Sequence, residues 1–283
     1  MDSFKSLGFQ GSVERNEQAA WMASVLTSFQ RRHNVFGAVA EIGVHHGFYF
    51  LSIALTARVG EPLLALDLFA DQHKNVDGSG NGDQGIFRSN LQLAGFPAEA
   101  IKTLQGASTD VSADTFCSAL GPSMGIRFFS IDGGHTKEIV MNDLVFAEHA
   151  LVEGGIVAAD DYSNLYWPGV VDGVGAYFER NAATTRLAPF LLHNNKLYIT
   201  TKSHHDLYLE AVHSMSFWNA ACIHTDTETG EHRQSCYEGA GPGETGQANN
   251  RFRIGGAAVG IAEFRKFDVE KAKALWKEAW PQC

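Results

Sequence analysis

Three aspartates and one histidine occupy positions from which they could act together on a ligand. Asp132 follows a short apolar run, and His135 lies on the same turn, three residues later. The pair Asp160-Asp161 follows the next apolar run. Two strands that are joined by one helix are almost always parallel neighbours. We therefore expect Asp132, Asp160 and Asp161 to meet beyond the carboxyl ends of the strands, where open α/β sheets bind ligands.

Such a cluster suits a particular chemistry. Carboxylates that converge repel one another unless they share a proton or a cation. A set of oxygen ligands suits a hard divalent cation, of which Mg²⁺ is the commonest. A neutral imidazole at His135 would be placed to take a proton from a hydroxyl held on that metal. The alternative is structural, with the acids capping loops and His135 acting as a capping or loop histidine.

The stretch that carries these residues predicts a strand, a helix and a second strand. Residues 128–131 are apolar strand formers, as expected for a strand buried on both faces. Thr136 can cap the helix that follows. We expect that helix to end at the Gly154-Gly155 pair and the next strand to cover residues 156–159.

A glycine turn precedes this unit. Residues 38–47 read AVAEIGVHHG, which predicts a strand carrying Glu41, a turn at Gly43 and Gly47, and a helix after it. Glycine at both positions lets the backbone turn tightly and approach a ligand closely. The dinucleotide fingerprint GxGxxG is absent, so a pyrophosphate cradle is not indicated.

Apolar runs at residues 63–68 and 101–104 predict two further strands. Asp67 falls at the end of the first, and Ser108 lies near the tip of the second. An acid at the end of the second strand, roughly 20 residues beyond a glycine turn, commonly binds the ribose hydroxyls of an adenosine ligand. The alternative is that Asp67 is a solvated loop acid.

The remaining periodic segments predict helices and one hairpin. The hairpin pairs residues 188–192 with residues 196–201 across a turn at Asn194-Asn195. Residues 252–264 suggest a further strand. The predicted helices cover residues 14–33, 86–93, 110–120, 170–180, 203–216 and 268–280.

Two polar, glycine-rich stretches interrupt this pattern. The first, at residues 71–85, is too long for a simple connection and is either a functional loop or disordered. The second, at about 225–250, is expected to be a mobile loop rather than a domain linker. We expect one domain over residues 1–283, with a core at about 14–201 and a C-terminal extension at 202–283.

Composition excludes several classes of function. The chain of 283 residues is 45% hydrophobic and 19% charged, which is ordinary for a globular protein with a sizeable core. Its formal net charge is −10, and no basic cluster is present, so neither nucleic acid nor an anionic membrane is an expected partner. No apolar run approaches the length of a membrane helix, and no secretory signal opens the chain, so we expect a cytoplasmic protein.

In this order, the motifs resemble those of the class I S-adenosylmethionine-dependent methyltransferases, within the group that includes macrocin-type sugar O-methyltransferases. The resemblance covers about residues 39–201 and depends on AEIGVHHG, LLALD, and FFSIDGGH with LVEGGIVAADDY. It implies a Rossmann-like, doubly wound α/β fold with a seven-stranded, mostly parallel sheet and an antiparallel hairpin at its edge.

The resemblance also implies roles for individual residues. Glu41, Gly43 and Gly47 would lie around the methionine part of S-adenosylmethionine, Asp67 would hold the ribose hydroxyls, and Ser108 would lie near the adenine.

In the metal-dependent members, Mg²⁺ or another divalent cation is held at positions that match Asp132, Asp160 and Asp161. Asp132 would thus serve catalysis, the cofactor and the metal. Related enzymes carry Asp-Asn where this chain has Asp160-Asp161, and the catechol enzyme has a lysine base where His135 falls. His135 as the catalytic base is therefore an analogy.

Several questions stay open at this stage. The acceptor is expected to be a small molecule with a hydroxyl group, a sugar or another vicinal diol, with Tyr162 and Trp167 walling its pocket. Two alternatives to the methyltransferase are a metal-dependent, hydroxylase-like oxidoreductase of the same fold and a non-catalytic S-adenosylmethionine-binding protein. A homo-oligomer is compatible with the sequence, which does not decide it.

Overall fold

The computed structural model describes residues 8–11, 17–121, 124–213, 223–225, 232–234 and 253–262. The predicted helix at 268–280 and nearly all of the predicted loop at 225–250 lie outside these residues. Within the described residues, no helix has both the length and the apolar composition to cross a membrane.

The described strands follow one another along most of the chain. They are β1 Ala38–Ile42, β2 Leu63–Asp67, β3 Ile101–Gln105, β4 Ile126–Ile131, β5 Leu151–Ala159, β6 Leu187–His193, β7 Lys196–Thr201, β8 Ile223–Thr225, β9 His232–Gln234, β10 Arg253–Ile254, β11 Ala257–Ala258 and β12 Gly260–Ala262.

Seven helices are described, one before the first strand and six between strands. They are α1 Glu17–Arg32, α2 Phe48–Ala54, α3 Gln84–Leu93, α4 Ala113–Leu120, α5 Lys137–Ala150, α6 Pro168–Arg180 and α7 His205–His213, with short 3-10 turns at Gln72–Lys74 and Ala98–Ala100.

The main sheet has the strand order β12-β6-β7-β5-β4-β1-β2-β3. Strand β7 runs antiparallel to β5 and β6, and the other pairs in this sheet are parallel. The expected seven-stranded, mostly parallel sheet with one hairpin is therefore confirmed. The short strand β12 adds an eighth member beyond the hairpin, next to β6. Two separate two-stranded ribbons, β8-β9 and β10-β11, complete the described strands.

Helices cover both faces of the sheet, and the strands are buried accordingly. In β4, Phe128 packs into the apolar cluster on one face and Phe129 into the cluster on the other. The first cluster contains Phe50 of α2, and the second contains Leu144 of α5 and Val174 of α6. A strand buried on both faces reads as a continuous apolar run, because neither face needs polar side chains. This explains why β1, β2 and β4 were recognisable from the sequence.

The end of α5 differs from the sequence prediction. The helix ends at Ala150, and Leu151 already opens β5, so the Gly154-Gly155 pair lies inside a strand. Gly154 has φ +73°, and a Cβ atom on Gly155 would lie 2.9 Å from the Ile126 carbonyl oxygen. These glycines permit a left-handed bend and close packing against β4, so their presence does not mark a helix end.

The predicted hairpin is confirmed, and its first strand is one residue longer at each end than predicted. Asn194 and Asn195 connect β6 to β7 and have φ values of +48° and +65°. A two-residue turn with both residues at positive φ matches the twist of paired strands, and asparagine tolerates this conformation better than most residues. The turn lies at the same edge of the sheet as the end of β5, because Ala159 pairs with Leu197.

A buried ion pair lies toward the opposite edge of the sheet. Arg127, on β4, is fully buried and donates through Nε to Glu61 Oε1 at 2.8 Å. Its remaining nitrogens donate to Gln30 Oε1 at 3.0 Å and to the Thr56 carbonyl oxygen at 2.9 Å. Arg58 also donates to Glu61. The guanidinium is thus fully engaged, which is the condition under which a buried charge is tolerated.

We expect Glu61→Gln to lower the free energy of unfolding by about 3–5 kcal/mol, because it leaves the buried Arg127 charge without its anion. Urea denaturation followed by circular dichroism measures this change. The matched control is Glu153→Gln, which removes a partner of Arg186 on a carboxylate that is 61% exposed. This control substitution should lower the free energy of unfolding by less than about 1 kcal/mol. Equal effects of the two substitutions would contradict the view that Glu61 compensates the buried charge of Arg127.

The same pair predicts a pH dependence. Burial opposes ionisation of Glu61. Hydrogen bonds from Arg127 and Arg58 outweigh this effect and hold the pKa of Glu61 below the ordinary 4.5. A carboxyl group with a depressed pKa stabilises the fold above its unfolded pKa and loses this contribution as the pH falls through its folded pKa. The stability gap between wild type and Glu61→Gln should therefore narrow below pH 4.5.

Candidate active site

A cavity of about 710 Å³ opens beyond the carboxyl ends of the parallel strands. Five neighbouring strands of the sheet each contribute one polar residue to the lining of this cavity. These residues are Ser108 after β3, Asp67 at the end of β2, Glu41 on β1, Asp132 after β4 and Asp160 after β5. Cavities of this size hold small organic ligands, and this edge is where open α/β sheets place them.

The glycine turn after β1 forms the centre of the cavity wall. Gly43 has φ +83°, and a Cβ atom there would lie 1.7 Å from the Asp132 carbonyl oxygen. No other residue fits, so Gly43 lets the turn after β1 pack directly on the turn after β4. Gly47 has φ +89°, and a Cβ atom on it would lie 2.7 Å from the Phe87 ring. Gly43 lines the cavity, whereas Gly47 lies between the lining residues His46 and Phe48.

Asp67 is held in place by two backbone amides. Its Oδ2 accepts from His45 N at 2.8 Å, and its Oδ1 accepts from Phe69 N at 2.7 Å. Asp67 is 9% exposed and lines the cavity. The carboxylate is therefore fixed in orientation, and its remaining lone pairs are available to hydroxyl donors.

Glu41 is the most deeply buried acid of the site, at 1% exposure. Burial raises its pKa well above the ordinary value, and the nearby Asp132 raises it further. Ser130 Oγ donates to Glu41 Oε1 at 2.7 Å and opposes this rise. Lys196 also opposes the rise, and a cationic group of a ligand would favour the ionised form of Glu41 further.

Asp132, His135 and Asp161 come together at one end of the cavity. One ligand atom from each of the three lies within 4.8 Å of the others. His135 Nε2 is 3.0 Å from Asp161 Oδ2 and 3.8 Å from Asp132 Oδ1. The donor set of two carboxylates and one imidazole is chemically suited to a divalent cation. Burial and the neighbouring Asp160 raise the pKa of Asp132 to about 6.

His135 is surrounded by acids. Burial opposes its protonation, but its interactions with Asp132 and Asp161 raise its pKa to about 10. Asp77 Oδ2 lies 3.0 Å from the other ring nitrogen, Nδ1. The imidazole therefore carries a proton at neutral pH in this arrangement, and it can accept one only after that proton has left.

Asp160 has a different environment from Asp161. Its Oδ2 forms an ion pair with Lys196 Nζ, and its Oδ1 accepts from Asp161 N at 2.8 Å. Lys196 is buried at 1% exposure, and its ammonium lies 4.1 Å from the centroid of the Tyr49 ring. Burial opposes the charge on Lys196, but Asp160 and Asp132 raise its pKa above the ordinary value. The charge of Asp160 is thus compensated by the ammonium group of Lys196.

Asp161 is supported by asparagines. It has φ +58°, in the left-handed region that aspartate tolerates better than most residues. Its Oδ1 accepts from Asn164 Nδ2 at 2.9 Å and from Asn195 Nδ2 at 2.6 Å. These bonds leave Oδ2 directed at His135.

Sequence reasoning missed Asp77 and Lys196. Asp77 lies in the glycine-rich stretch, which is folded across the cavity so that Val76, Ser79 and Gly80 line it. Asp77 Oδ2 accepts from His135 N at 2.5 Å, and hydrogen bonding outweighs burial to lower its pKa to about 2. The signals in the sequence were a polar stretch too long for a turn and a lysine opening an otherwise apolar strand.

The two aromatic residues predicted to wall the substrate pocket differ in position. The Trp167 ring stacks on His135 with centroids 4.4 Å apart and planes 17° apart, and it lines the cavity. Tyr162 packs against the apolar cluster beneath α5 and α6 and is not among the cavity-lining residues. Its backbone N donates to the Asn195 carbonyl oxygen at 2.9 Å, so it anchors the hairpin turn.

Comparison with known proteins agrees with this architecture. Residues 40–162 match a protein-family model described as a methyltransferase domain. No curated protein matches the chain. The solved structure of an O-methyltransferase from Bacillus cereus in complex with SAH is similar with a TM-score of 0.50 at 16% identity, over 69% of this chain and 84% of that one.

Two further structures have lower scores. The O-methyltransferase NovP has a TM-score of 0.49 at 16% identity, over 64% of this chain and 78% of its own. CalS11, described as a TDP-rhamnose 3'-O-methyltransferase, has a TM-score of 0.47 at 17% identity, over 66% and 81%. The family match includes the glycine turn, Asp67 and the whole acidic cluster. Residues 40–162 are thus similar to a methyltransferase domain, in agreement with the predicted resemblance, and the likeness to the Bacillus cereus structure shows that the fold is shared.

Proposed function

We propose that this protein is an S-adenosylmethionine-dependent O-methyltransferase. It methylates a hydroxyl group of a sugar or another small molecule with neighbouring oxygens, with help from a divalent cation. The observation that carries this proposal is the single cavity that Asp67, Glu41 and the Asp132–His135–Asp161 cluster share. An acid placed to hold ribose hydroxyls and a cluster placed to activate an acceptor hydroxyl, both in one cavity, support methyl transfer to oxygen.

The cofactor would lie along the strand ends. Asp67 would accept hydrogen bonds from the two ribose hydroxyls, since its orientation is fixed by amides. Glu41 and Asp132 would face the cationic amino acid part, with Gly43 keeping the backbone close to it and Gly47 completing the turn behind it. Ser108 would lie near the adenine. When bound, this cofactor supplies a methyl group on a positively charged sulfur.

The cluster of Asp132, His135 and Asp161 fits a divalent cation by its donor atoms. We assign Asp132 and Asp161 as ligands. Asp160 is engaged by Lys196, and its role is to position Asp161 through the backbone bond between them. A metal held there would lower the pKa of a substrate hydroxyl and orient it.

The acceptor hydroxyl would approach beside His135. The ring is held in one plane by Trp167 on its face and by Asp77 at Nδ1, so Nε2 points into the cluster. A cation held by Asp132 and Asp161 would neutralise the two acids that keep His135 protonated, so the imidazole would lose its proton. The neutral His135 would then accept the proton of the acceptor as the general base. The stacked Trp167 gives the same end of the cavity an aromatic wall, which suits the face of a sugar or a phenol ring.

Asp67→Ala should weaken binding of S-adenosylmethionine by about ten- to a hundredfold, because it removes charge-assisted hydrogen bonds to the ribose. Isothermal titration calorimetry measures the affinity. The control is Asp71→Ala, which removes a nearby acid that does not line the cavity. If Asp67→Ala binds as the wild type does, the cofactor placement is wrong. If the wild type does not bind, the methyltransferase proposal fails.

Asp161→Ala should reduce the affinity for Mn²⁺, used as a paramagnetic substitute for Mg²⁺, by more than about tenfold, the loss typical even of outer-shell partners. Electron paramagnetic resonance of free Mn²⁺ measures this change. Asp172→Ala, at an exposed acid of α6, should leave the affinity unchanged. Wild-type protein that binds no Mn²⁺ would remove the metal from the proposal.

His135→Ala should lower the rate of methyl transfer by about 10²–10⁴-fold, the usual contribution of a general base. Transfer of a radiolabelled methyl group to a panel of catechols and nucleotide sugars identifies the acceptor and measures the rate. Retained Mn²⁺ binding in this variant would assign His135 as the base, whereas lost Mn²⁺ binding would assign it as a ligand. A loss of less than tenfold in the rate of methyl transfer would exclude His135 both as the base and as a metal ligand.

A further inference from the structure

Lys196 is a buried cation beside the proposed metal cluster, and the proposed reaction gives it no part in the chemistry. It opens β7 and lines the cavity, although its side chain is only 1% exposed. Its Nζ forms an ion pair with Asp160 Oδ2 and lies 4.1 Å from the centroid of the Tyr49 ring. A lysine is almost never fully buried unless it is paired, so this position calls for a physical reason.

The sheet itself brings Lys196 to Asp160. Strands β5 and β7 are antiparallel, and Ala159 pairs with Leu197. Asp160, the next residue after β5, therefore lies opposite Lys196, the first residue of β7. Opposite charges in facing positions stabilise a pair of strands. The ion pair is thus part of the strand register and does not depend on a separate loop.

The ion pair keeps Asp160 apart from the proposed metal cluster. The three residues of that cluster bring ligand atoms within 4.8 Å of one another, and Asp160 is not among them. Asp160 Oδ2 faces Lys196, and Asp160 Oδ1 accepts from Asp161 N at 2.8 Å. Both carboxylate oxygens of Asp160 thus have partners, although this residue lines the same cavity as the cluster.

We propose that Lys196 is a built-in competitor of the divalent cation, because it holds the Asp160 carboxylate out of the ligand set of the metal. The affinity of a site for such a cation depends on the number of carboxylates that face it. With Lys196 in place, the described residues offer two, Asp132 and Asp161. The ammonium also repels a second cation placed nearby. Lys196 therefore keeps the metal affinity low, and it compensates the acids when no metal is bound.

This inference depends on the proposed function, because it takes the cluster to hold a divalent cation. Lys196 acts on that cation through Asp160 and is a positioning residue. A purely structural lysine predicts the opposite result, since its loss would displace Asp160 and Asp161 and weaken metal binding. The direction of the change in metal affinity therefore distinguishes the two roles.

The experiment measures the dissociation constant of Mn²⁺ by electron paramagnetic resonance of the free ion. Lys196→Met removes the ammonium and keeps an unbranched side chain, so the Mn²⁺ affinity should rise by about ten- to a hundredfold as Asp160 becomes available. Lys202→Met is the matched control, because it removes the same charge from an exposed residue directly beyond the other end of β7. A distant, solvent-screened charge should change the affinity by less than about twofold.

A second substitution tests whether the gain passes through Asp160. Adding Asp160→Asn to Lys196→Met should return the Mn²⁺ affinity to within about threefold of wild type, because both charges of the pair are then absent. An affinity below this range would show that Asp160 ligates the metal in the wild type, and an affinity above it would show that the gain does not involve Asp160. Either result overturns the inference.

The same double variant decides the question if Lys196→Met does not fold, since replacement of both partners of a buried ion pair is often tolerated. An unchanged or weaker Mn²⁺ affinity in Lys196→Met overturns the inference, while a wild type that binds Mn²⁺ keeps the metal in the proposed function. Binding by Lys196→Met alone supports the inference and removes the metal from the wild-type reaction. If neither protein binds Mn²⁺, the inference and the metal assistance fail together, whereas binding of S-adenosylmethionine still tests the methyltransferase.

Discussion

The acidic end of the cavity depends on one contact, that of the β6-β7 hairpin with the turn after β5. Asn195 and Lys196 are consecutive, and they engage the consecutive acids Asp161 and Asp160, one by a hydrogen bond and the other by an ion pair. Carboxylates gathered at strand ends repel one another unless positive charge is supplied. The fold supplies it from an antiparallel strand, which brings its lysine in from the opposite direction to the parallel strands.

Backbone geometry sets the spacing of the same groups. The turn after β1 packs on the turn after β4 because Gly43 has no side chain, and Asp132 N donates to the Ile42 carbonyl oxygen at 2.9 Å. Backbone contacts alone therefore fix the position of Asp132 relative to Glu41. The loop that carries Asp77 then closes over His135. The ends of the parallel strands place the acids, and the hairpin and the loop of Asp77 place their partners.

The parts of this arrangement that the sequence predicted are local ones. Apolar runs ending in Asp67 and Asp132 marked buried parallel strands, and the Asn194-Asn195 pair marked a tight turn. The boundary between α5 and β5 was wrong because glycine ends helices but also permits close strand packing, and the Ile126 carbonyl that needs Gly155 is distant in sequence. Asp77 and Lys196 were missed for the same reason, since their partners are set by tertiary structure.

The two ends of the cavity differ in what holds their acids. At one end, the charges of Lys196 and His135 compensate Asp160 and Asp161, so the positions of these side chains depend on one another. At the other end, backbone amides of His45 and Phe69 hold the Asp67 carboxylate. A carboxylate whose direction is fixed in advance loses little entropy when it accepts a hydrogen bond from a ligand. The first end therefore responds to any change in charge, whereas the second presents one acceptor in a constant direction.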